Sequence, residues 1–284
     1  MLIIGAAGQL GATMVRAFDG ADIVAHTRAS LDITDGTAVA RAVAAAAPQV
    51  IVNCAAFNDV DGAESAPLEA LSVNALAVRS LARAAAAAGA TLIHYSTDFV
   101  FDGTAVEPYD ERTPPSPRST YAASKLLGEW FAGDAPRAFV LRVESLFGSP
   151  RGWSGRRGTL DKIVADLEAG REVRVFTDRV VSPSYMPDVA GATRHLLEAE
   201  AAPGLYHCVN AGQGTWHDVA VEAARLLGVT PRLVPMTMAE VQLTASRPRF
   251  CALSNRKLAG AGWPMPPWTD ALRRWLEARA LPAA

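Results

Sequence analysis

Tyr121 and Lys125 stand four residues apart in Ser119-Thr120-Tyr121-Ala122-Ala123-Ser124-Lys125, and an apolar segment upstream closes with Ser96-Thr97-Asp98. A spacing of four puts the phenol and the ammonium on one helical face. There the lysine charge favours the phenolate and is expected to lower a tyrosine pKa that is about 10 when unperturbed. A phenol tuned in this way can exchange a proton near neutral pH, as a donor for carbonyl reduction must. With only three lysines and five tyrosines in 284 residues, a chance pair at this spacing is expected roughly 0.05 times, which limits the false-positive risk of a short motif.

The elements that must carry these residues alternate. Apolar strand candidates at 2–4, 22–26, 50–54 and 91–96 are separated by helical segments from about Leu10, near 36–46 and near 67–88. That order predicts a parallel sheet covered by helices on both faces. Val50-Ile51-Val52 and Thr91-Leu92-Ile93 are continuous apolar runs, as doubly covered strands require. The Tyr121 helix follows Pro114-Pro115-Ser116-Pro117, runs to about Phe131, and is followed by a strand from Ala138 to Val143. Beyond about residue 148 the pattern loosens, with a helix near 159–169, a strand around 173–176, a helix from Pro187 to about Glu200, a strand at 205–208 and an amphipathic helix at 216–227. The expected fold is α/β, a Rossmann-like doubly wound parallel sheet with a smaller C-terminal substrate-binding lobe. Residues 1–148 and about 186–210 are assigned to the dinucleotide-binding domain, and about 149–185 and 211–284 to the lobe.

Composition narrows the function classes. A net charge of −2 and a sequence pI near 6.2 leave no electrostatic footprint for nucleic acid or an anionic membrane. Cys54, Cys208 and Cys251 are odd in number and scattered, which gives neither a disulfide framework nor a metal-ligand spacing. No metal is expected, and a reducing cytoplasm is the expected location. The chain opens on Leu2-Ile3-Ile4 without a basic segment and apolar core, and no apolar run reaches membrane length, so neither secretion nor membrane insertion is expected.

Gly5, Gly8 and Gly11 follow the first strand and open a helix. Glycines there permit a tight turn and close backbone approach, and the helix N-terminus attracts a pyrophosphate. NAD-binding folds of this type commonly end their second strand on an acidic residue; this chain offers His26-Thr27-Arg28. Arg28 can pair with a 2′-phosphate bidentately, which favours NADPH over NADH, with a solvated surface arginine as the other reading. Asp32 is a candidate acceptor for the adenine amine, and Asn53 to Ala56, with Ala55 and Ala56 as its contact residues, a candidate nicotinamide-side wall.

With these residues in hand, the chain resembles the extended short-chain dehydrogenases/reductases and, more narrowly, the dTDP-4-dehydrorhamnose reductase family. The resemblance runs nearly end to end. It rests on Gly8-Gln9-Leu10-Gly11, Asn53-Cys54-Ala55-Ala56-Phe57, Val60-Asp61, Val73-Asn74-Ala75, Ser96-Thr97-Asp98-Phe99-Val100-Phe101-Asp102-Gly103, Tyr121 with Ser124-Lys125, Leu141-Arg142, and in the tail Gly204-Leu205-Tyr206-His207 and Arg247-Pro248. It implies that Thr97 hydrogen-bonds the substrate carbonyl oxygen, Tyr121 donates its proton, and Lys125 holds the nicotinamide ribose while tuning Tyr121. Hydride then passes from the nicotinamide to the keto carbon of a nucleotide sugar. It further implies cofactor contacts from Gln9 and Leu10, a substrate side formed by Thr97, Asp98, Val100 and Arg247, and a homodimer.

The chain departs from that family after Leu141-Arg142. Where a Thr-Ser-Trp segment is usual, it reads Val143-Glu144-Ser145-Leu146-Phe147-Gly148, and the basic segment Arg151 to Gly158 follows. Trp153 is the expected replacement for the lost aromatic surface. The departure leaves the redox centre intact and opens the substrate question. The reading that follows is an NADPH-dependent reductase of a 4-keto-6-deoxy nucleotide sugar, with dTDP-4-dehydrorhamnose first among substrates. Two alternatives stand beside it: a nucleotide-sugar epimerase or dehydratase with tightly held NAD, and a non-catalytic regulatory subunit resembling the β subunit of methionine adenosyltransferase.

Overall fold

The structure, a computed structural model, describes residues 1–149, 155 and 158–280. Six parallel strands form the central sheet: β1 (Leu2–Ile4), β2 (Val24–His26), β3 (Val50–Asn53), β4 (Thr91–Thr97), β5 (Ala138–Val143) and β6 (Gly204–His207). Their order across the sheet is β6-β5-β4-β3-β1-β2. Helices α1 (Gln9–Ala17), α2 (Gly36–Ala46), α3 (Ala77–Ala88), α4 (Thr120–Ala132) and α5 (Met186–Glu198) cover it.

The period of two along each strand decides which layer each residue meets. Leu2, Ile4, Ile51, Leu92 and Val140 pack with Val39 and Val43 of α2 and Leu81 of α3. Their neighbours Ile3, Val52, Ile93, Phe139 and Leu141 pack on the other face with Met14 of α1 and Met186 and Val189 of α5. Ile3, Ile51, Leu92 and Leu141 are wholly buried. Each such side chain contributes about 1.5–3 kcal/mol through the apolar area withdrawn from water.

From β1 the chain goes to β2 on one side and returns to β3 on the other. The loops leaving β1 and β3 therefore diverge at the carboxyl edge of the sheet, where open α/β sheets bind their ligands. α4 places Tyr121 and Lys125 beside the end of β4. Its N-cap Ser119 accepts a hydrogen bond from the Ala122 amide at 3.2 Å, which starts the helix one residue before Tyr121.

The segment near 67–88 is helical throughout, with a π turn at Ser72–Leu76 between Pro67–Leu71 and α3. The wider turn aims Asn74 inward, where its amide holds both the amide and the carbonyl of Phe57 and donates to Ser124 Oγ at 3.0 Å. In the C-terminal part, the helices Thr159–Glu168, Trp216–Leu227 and Trp268–Ala280 pack around a second core containing Phe147, Ile163, Val173, Val219 and Trp275. The strand Glu172–Phe176 pairs in parallel with Arg232–Met236. The sequence reading contains neither that partner strand nor the Trp268–Ala280 helix. Among the described residues no helix is long and apolar enough to cross a membrane.

Candidate active site

The turn after β1 is built for close approach. Gly5 has φ +79°, and a Cβ on it would lie 2.7 Å from the Ala55 amide nitrogen. A Cβ on Gly11 would strike the Gly5 carbonyl. Backbone thus occupies the space that side chains would need. Gly8 caps α1 with no side-chain hydrogen bond, so the first-turn amides of that helix are available to an anion. Beside this turn lies a cavity of about 660 Å³ lined by Gly5, Gly8, Thr27, Arg28, Asp32, Ala55 and Ala56 among others. A dinucleotide fits these residues: a cradle free of Cβ atoms, helix amides for its phosphates, and a cation at the rim.

Arg28 is extended into solvent, 3.7 Å from Glu69. Asp32 accepts from the amide and hydroxyl of Thr34 at 2.9 and 2.7 Å, and those bonds hold its carboxyl below the usual carboxylate range. A second cavity of about 420 Å³ continues from the first through Gly8, Cys54, Ala55 and Ala56. Gln9, Leu10, Thr97, Asp98, Tyr121, Lys125 and Arg247 line it, together with Val143, Ser145, Arg179 and Trp216. The strand end, the helix and the glycine turn therefore meet in one cleft.

Lys125 donates from Nζ to the Tyr95 carbonyl at 2.6 Å. Burial lowers its pKa to about 8, against the raising effect of Glu129 and Cys54. Tyr121 departs from expectation in its electrostatics. Burial, reinforced by the charge of Asp98, pushes the phenol well above its ordinary value, and the hydrogen-bonding pull of Thr97 offsets this only in part. The expected lowering by Lys125 is overturned because burial penalises the phenolate and the Lys125 ammonium is engaged by the Tyr95 carbonyl. Tyr121 is thereby held protonated, the form from which it can donate. Phe99 meets the phenol ring edge-on at 5.6 Å.

Thr97 Oγ1 accepts from the Phe99 amide at 3.2 Å and donates to Asp98 Oδ1 at 3.0 Å. Behind Asp98 lies a group of buried polar side chains. Carboxyl oxygens of Asp98 and Glu144 and the Cys251 sulfur lie within 4.8 Å of one another. Arg179, packed over the Phe99 ring at 5.5 Å, supplies a cation there. Asp98 Oδ2 and Arg179 Nε are buried without hydrogen-bond partners. Glu144 accepts from the Ser145 hydroxyl at 2.8 Å and from the Ser182 amide. Burial, then the charge of Asp98, holds its carboxyl far above the ordinary range.

Val100 requires a correction. Wholly buried, it packs with Phe101, Tyr109, Leu126, Val209 and Leu253 and lines neither cavity, because the short helical turn Asp98–Val100 carries it away from the strand end. Arg247 lines the cleft while holding Asp61 bidentately at 3.0 and 2.7 Å. Trp153 lies outside the described residues. Trp216 and Phe99 are among the aromatic side chains that line the described cleft. Arg179 and Trp216 escaped sequence reasoning because they belong to the C-terminal part, where no motif marks them. Glu144 was visible only as a departure from a familiar pattern.

The family model described as RmlD substrate binding domain matches residues 1–280. A dTDP-4-dehydrorhamnose reductase of Streptomyces griseus is 38% identical, over 95% of this chain and 91% of its own. A probable dTDP-4,6-dihydroxy-2-methyloxan-3-one 4-ketoreductase of Streptomyces antibioticus is also 38% identical, over 96% and 92%. Among solved structures, a dTDP-4-dehydrorhamnose reductase of Bacillus anthracis in complex with NADP is similar with a TM-score of 0.92 and 30% identity, covering 98% of both chains.

Proposed function

Because the chain belongs to the RmlD substrate binding domain family, the family its dTDP-4-dehydrorhamnose reductase relatives represent, we propose that it is an NADPH-dependent reductase of a dTDP-linked 4-keto-6-deoxyhexose, dTDP-4-dehydrorhamnose foremost. The observation that carries this reading is the meeting of Thr97, Tyr121 and Lys125 in one cleft with the glycine turn.

When bound, NADPH supplies the hydride that goes to the keto carbon. Gly5, Gly8 and Gly11 admit its pyrophosphate to the start of α1, and Arg28 is offered to the 2′-phosphate. Lys125 spends one of its N–H donors on Tyr95 and keeps two for the ribose hydroxyls. The Thr97 hydroxyl and the Tyr121 phenol act on the keto oxygen. Both gain strength as that oxygen becomes negative, so they stabilise the transition state more than the ground state. Tyr121 then gives its proton to the oxygen. Ser145 and Trp216 bound the space for the sugar.

The unpaired cysteines 54, 208 and 251 suit a cytoplasmic home. Exposed Leu68, Leu76 and Trp130, on the Pro67–Leu71 helix, the π turn and α4, support a homodimer, which light scattering checks.

The deciding assay follows NADPH absorbance with purified protein and enzymatically prepared dTDP-4-keto-6-deoxyglucose, with and without a 3,5-epimerase, and identifies the sugar formed. Oxidation only with the epimerase supports dTDP-L-rhamnose as product. Oxidation without it assigns a different 4-keto-6-deoxysugar, and turnover without net NADPH oxidation assigns an epimerase.

A further inference from the structure

Each turnover leaves Tyr121 without its proton, and the phenolate so formed is buried. Something must restore that proton before the next substrate is reduced. Asp98, bonded to Thr97, and the groups clustered with it are suited to it. Asp98 and Glu144 are 3% and 2% exposed, with carboxyl oxygens within 4.8 Å of each other, and among the described residues the cation facing both is Arg179. Two buried carboxylates facing one guanidinium would leave a net negative charge in a poorly solvated place, so the pair retains one proton. Asp98 Oδ2 is buried and has no hydrogen-bond partner, so a charge there is unrelieved unless the pair holds a proton. The thiol of Cys251, which receives a long contact from Arg179 at 3.9 Å, is kept neutral by burial and adds no charge. Thr97 Oγ1 donates to Asp98 Oδ1 at 3.0 Å, and Thr97 and Tyr121 line the same cleft.

We propose that Asp98 and Glu144 together are the internal acid that reprotonates Tyr121 through the Thr97 hydroxyl. The inference rests on the reductase reading above. In the step, the carboxyl O–H bond of the pair breaks as an O–H bond forms at Thr97 Oγ1. The original Thr97 proton passes to the Tyr121 oxygen, and no electrons change hands. The pair is left with both carboxylates charged beside Arg179 and recovers one proton from water in the cleft, which Asp98 and Arg179 line. Asp98 and Thr97 are the conducting groups, and Glu144 is the store.

The role separates the first turnover from later ones, which a merely structural role would not do. Tyr121 begins protonated, so Glu144→Gln is expected to oxidise one NADPH per site at the wild-type rate in stopped flow and then to slow about tenfold or more in the steady state. Glu144→Asp, which keeps an acid, is expected to regain most of the steady-state rate. A second readout needs no substrate: in difference infrared spectra at neutral pH, the wild type shows the carbonyl band of a protonated carboxylic acid that Glu144→Gln lacks. Equal loss in the first and later turnovers, or unchanged steady-state turnover in Glu144→Gln, overturns the relay. A wild type that turns over without the acid band overturns the relay alone. A wild type that shows the band but oxidises no NADPH with any keto-sugar overturns the reductase reading, and the relay with it.

Discussion

The ammonium of Lys125 lies 2.6 Å from the carbonyl oxygen of Tyr95, so the helix bearing Tyr121 is tied to the strand that ends at Thr97 by a buried charged hydrogen bond. The bond does not fully replace the water that Lys125 gives up, and its pKa falls to about 8. Below about pH 8 the group is protonated in both folded and unfolded chains, and the whole cost of burying its charge is present. Between about 8 and the ordinary value of 10.5 the unfolded chain binds the extra proton, so stability from this group rises with pH. Urea denaturation of the wild type against Lys125→Met from pH 7 to 10.5 is expected to show the wild type gaining on the variant by up to about 3 kcal/mol. A constant difference would mean that Lys125 is not desolvated.

Tyr121→Phe removes the donated proton and little else, since the ring keeps its edge contact with Phe99. Turnover is expected to fall roughly 10²–10⁴-fold, with NADPH affinity, read by fluorescence titration, within about twofold of wild type because the phenol is not part of the phosphate cradle. Turnover retained by this variant would refute Tyr121 as the acid.

The glycine turn makes a prediction with its own control. Gly5→Ala puts a Cβ 2.7 Å from the Ala55 amide at a left-handed φ, whereas Gly20→Ala, at φ +92°, meets nothing within 4 Å. Both lose roughly 1 kcal/mol or more of stability from backbone strain. Only Gly5→Ala is expected to weaken NADPH binding, by about tenfold or more, because its Cβ pushes the two sides of the cofactor crevice apart. Equal affinities in the two variants would show that the turn does not hold the cofactor.

Much of this arrangement was legible because it is local. The alternation of apolar runs with helical segments located β1 to β5 of the parallel sheet to within about two residues, since strands covered on both faces must be apolar throughout. Tyr121 and Lys125 could be paired for the same reason: a helix fixes the geometry of positions four apart. The ionisation of Tyr121 was not legible, because the burial that controls it comes from segments distant in sequence. Arg179 and Glu144 are brought behind Asp98 by tertiary packing alone, and Val100 left the cleft because a three-residue helical turn cannot be read from the motif around it.

Arg28 is the residue we propose to decide cofactor choice. It stands free in solvent at the rim of the 660 Å³ cavity, with only a loose partner in Glu69. Arg28→Ala is therefore expected to raise KM for NADPH about tenfold, the effect of one charge-assisted phosphate contact, while leaving KM for NADH within about twofold. A parallel rise with both cofactors would assign Arg28 to something they share, such as the pyrophosphate or the adenine face.

Glu129 and Arg142 tie the helix bearing Tyr121 to the central sheet. Arg142 on β5 grips the carboxylate of Glu129 on α4 at 2.8 and 2.7 Å, with both side chains almost wholly buried and the Arg142 guanidinium 4.9 Å from the Phe101 ring. Ser96, just before Thr97, donates to the same carboxylate at 2.5 Å. One carboxylate thus joins the helix bearing Tyr121 to the strand bearing Thr97. Glu129→Gln leaves Arg142 buried and unpaired, and urea denaturation is expected to show a loss of about 3–5 kcal/mol. The double replacement Glu129→Leu with Arg142→Met removes both charges, so it should recover much of that stability. It should not recover turnover, because Ser96 loses its acceptor and α4 is no longer held against β4. Recovery of both together would show that the pair contributes to stability without positioning the donor.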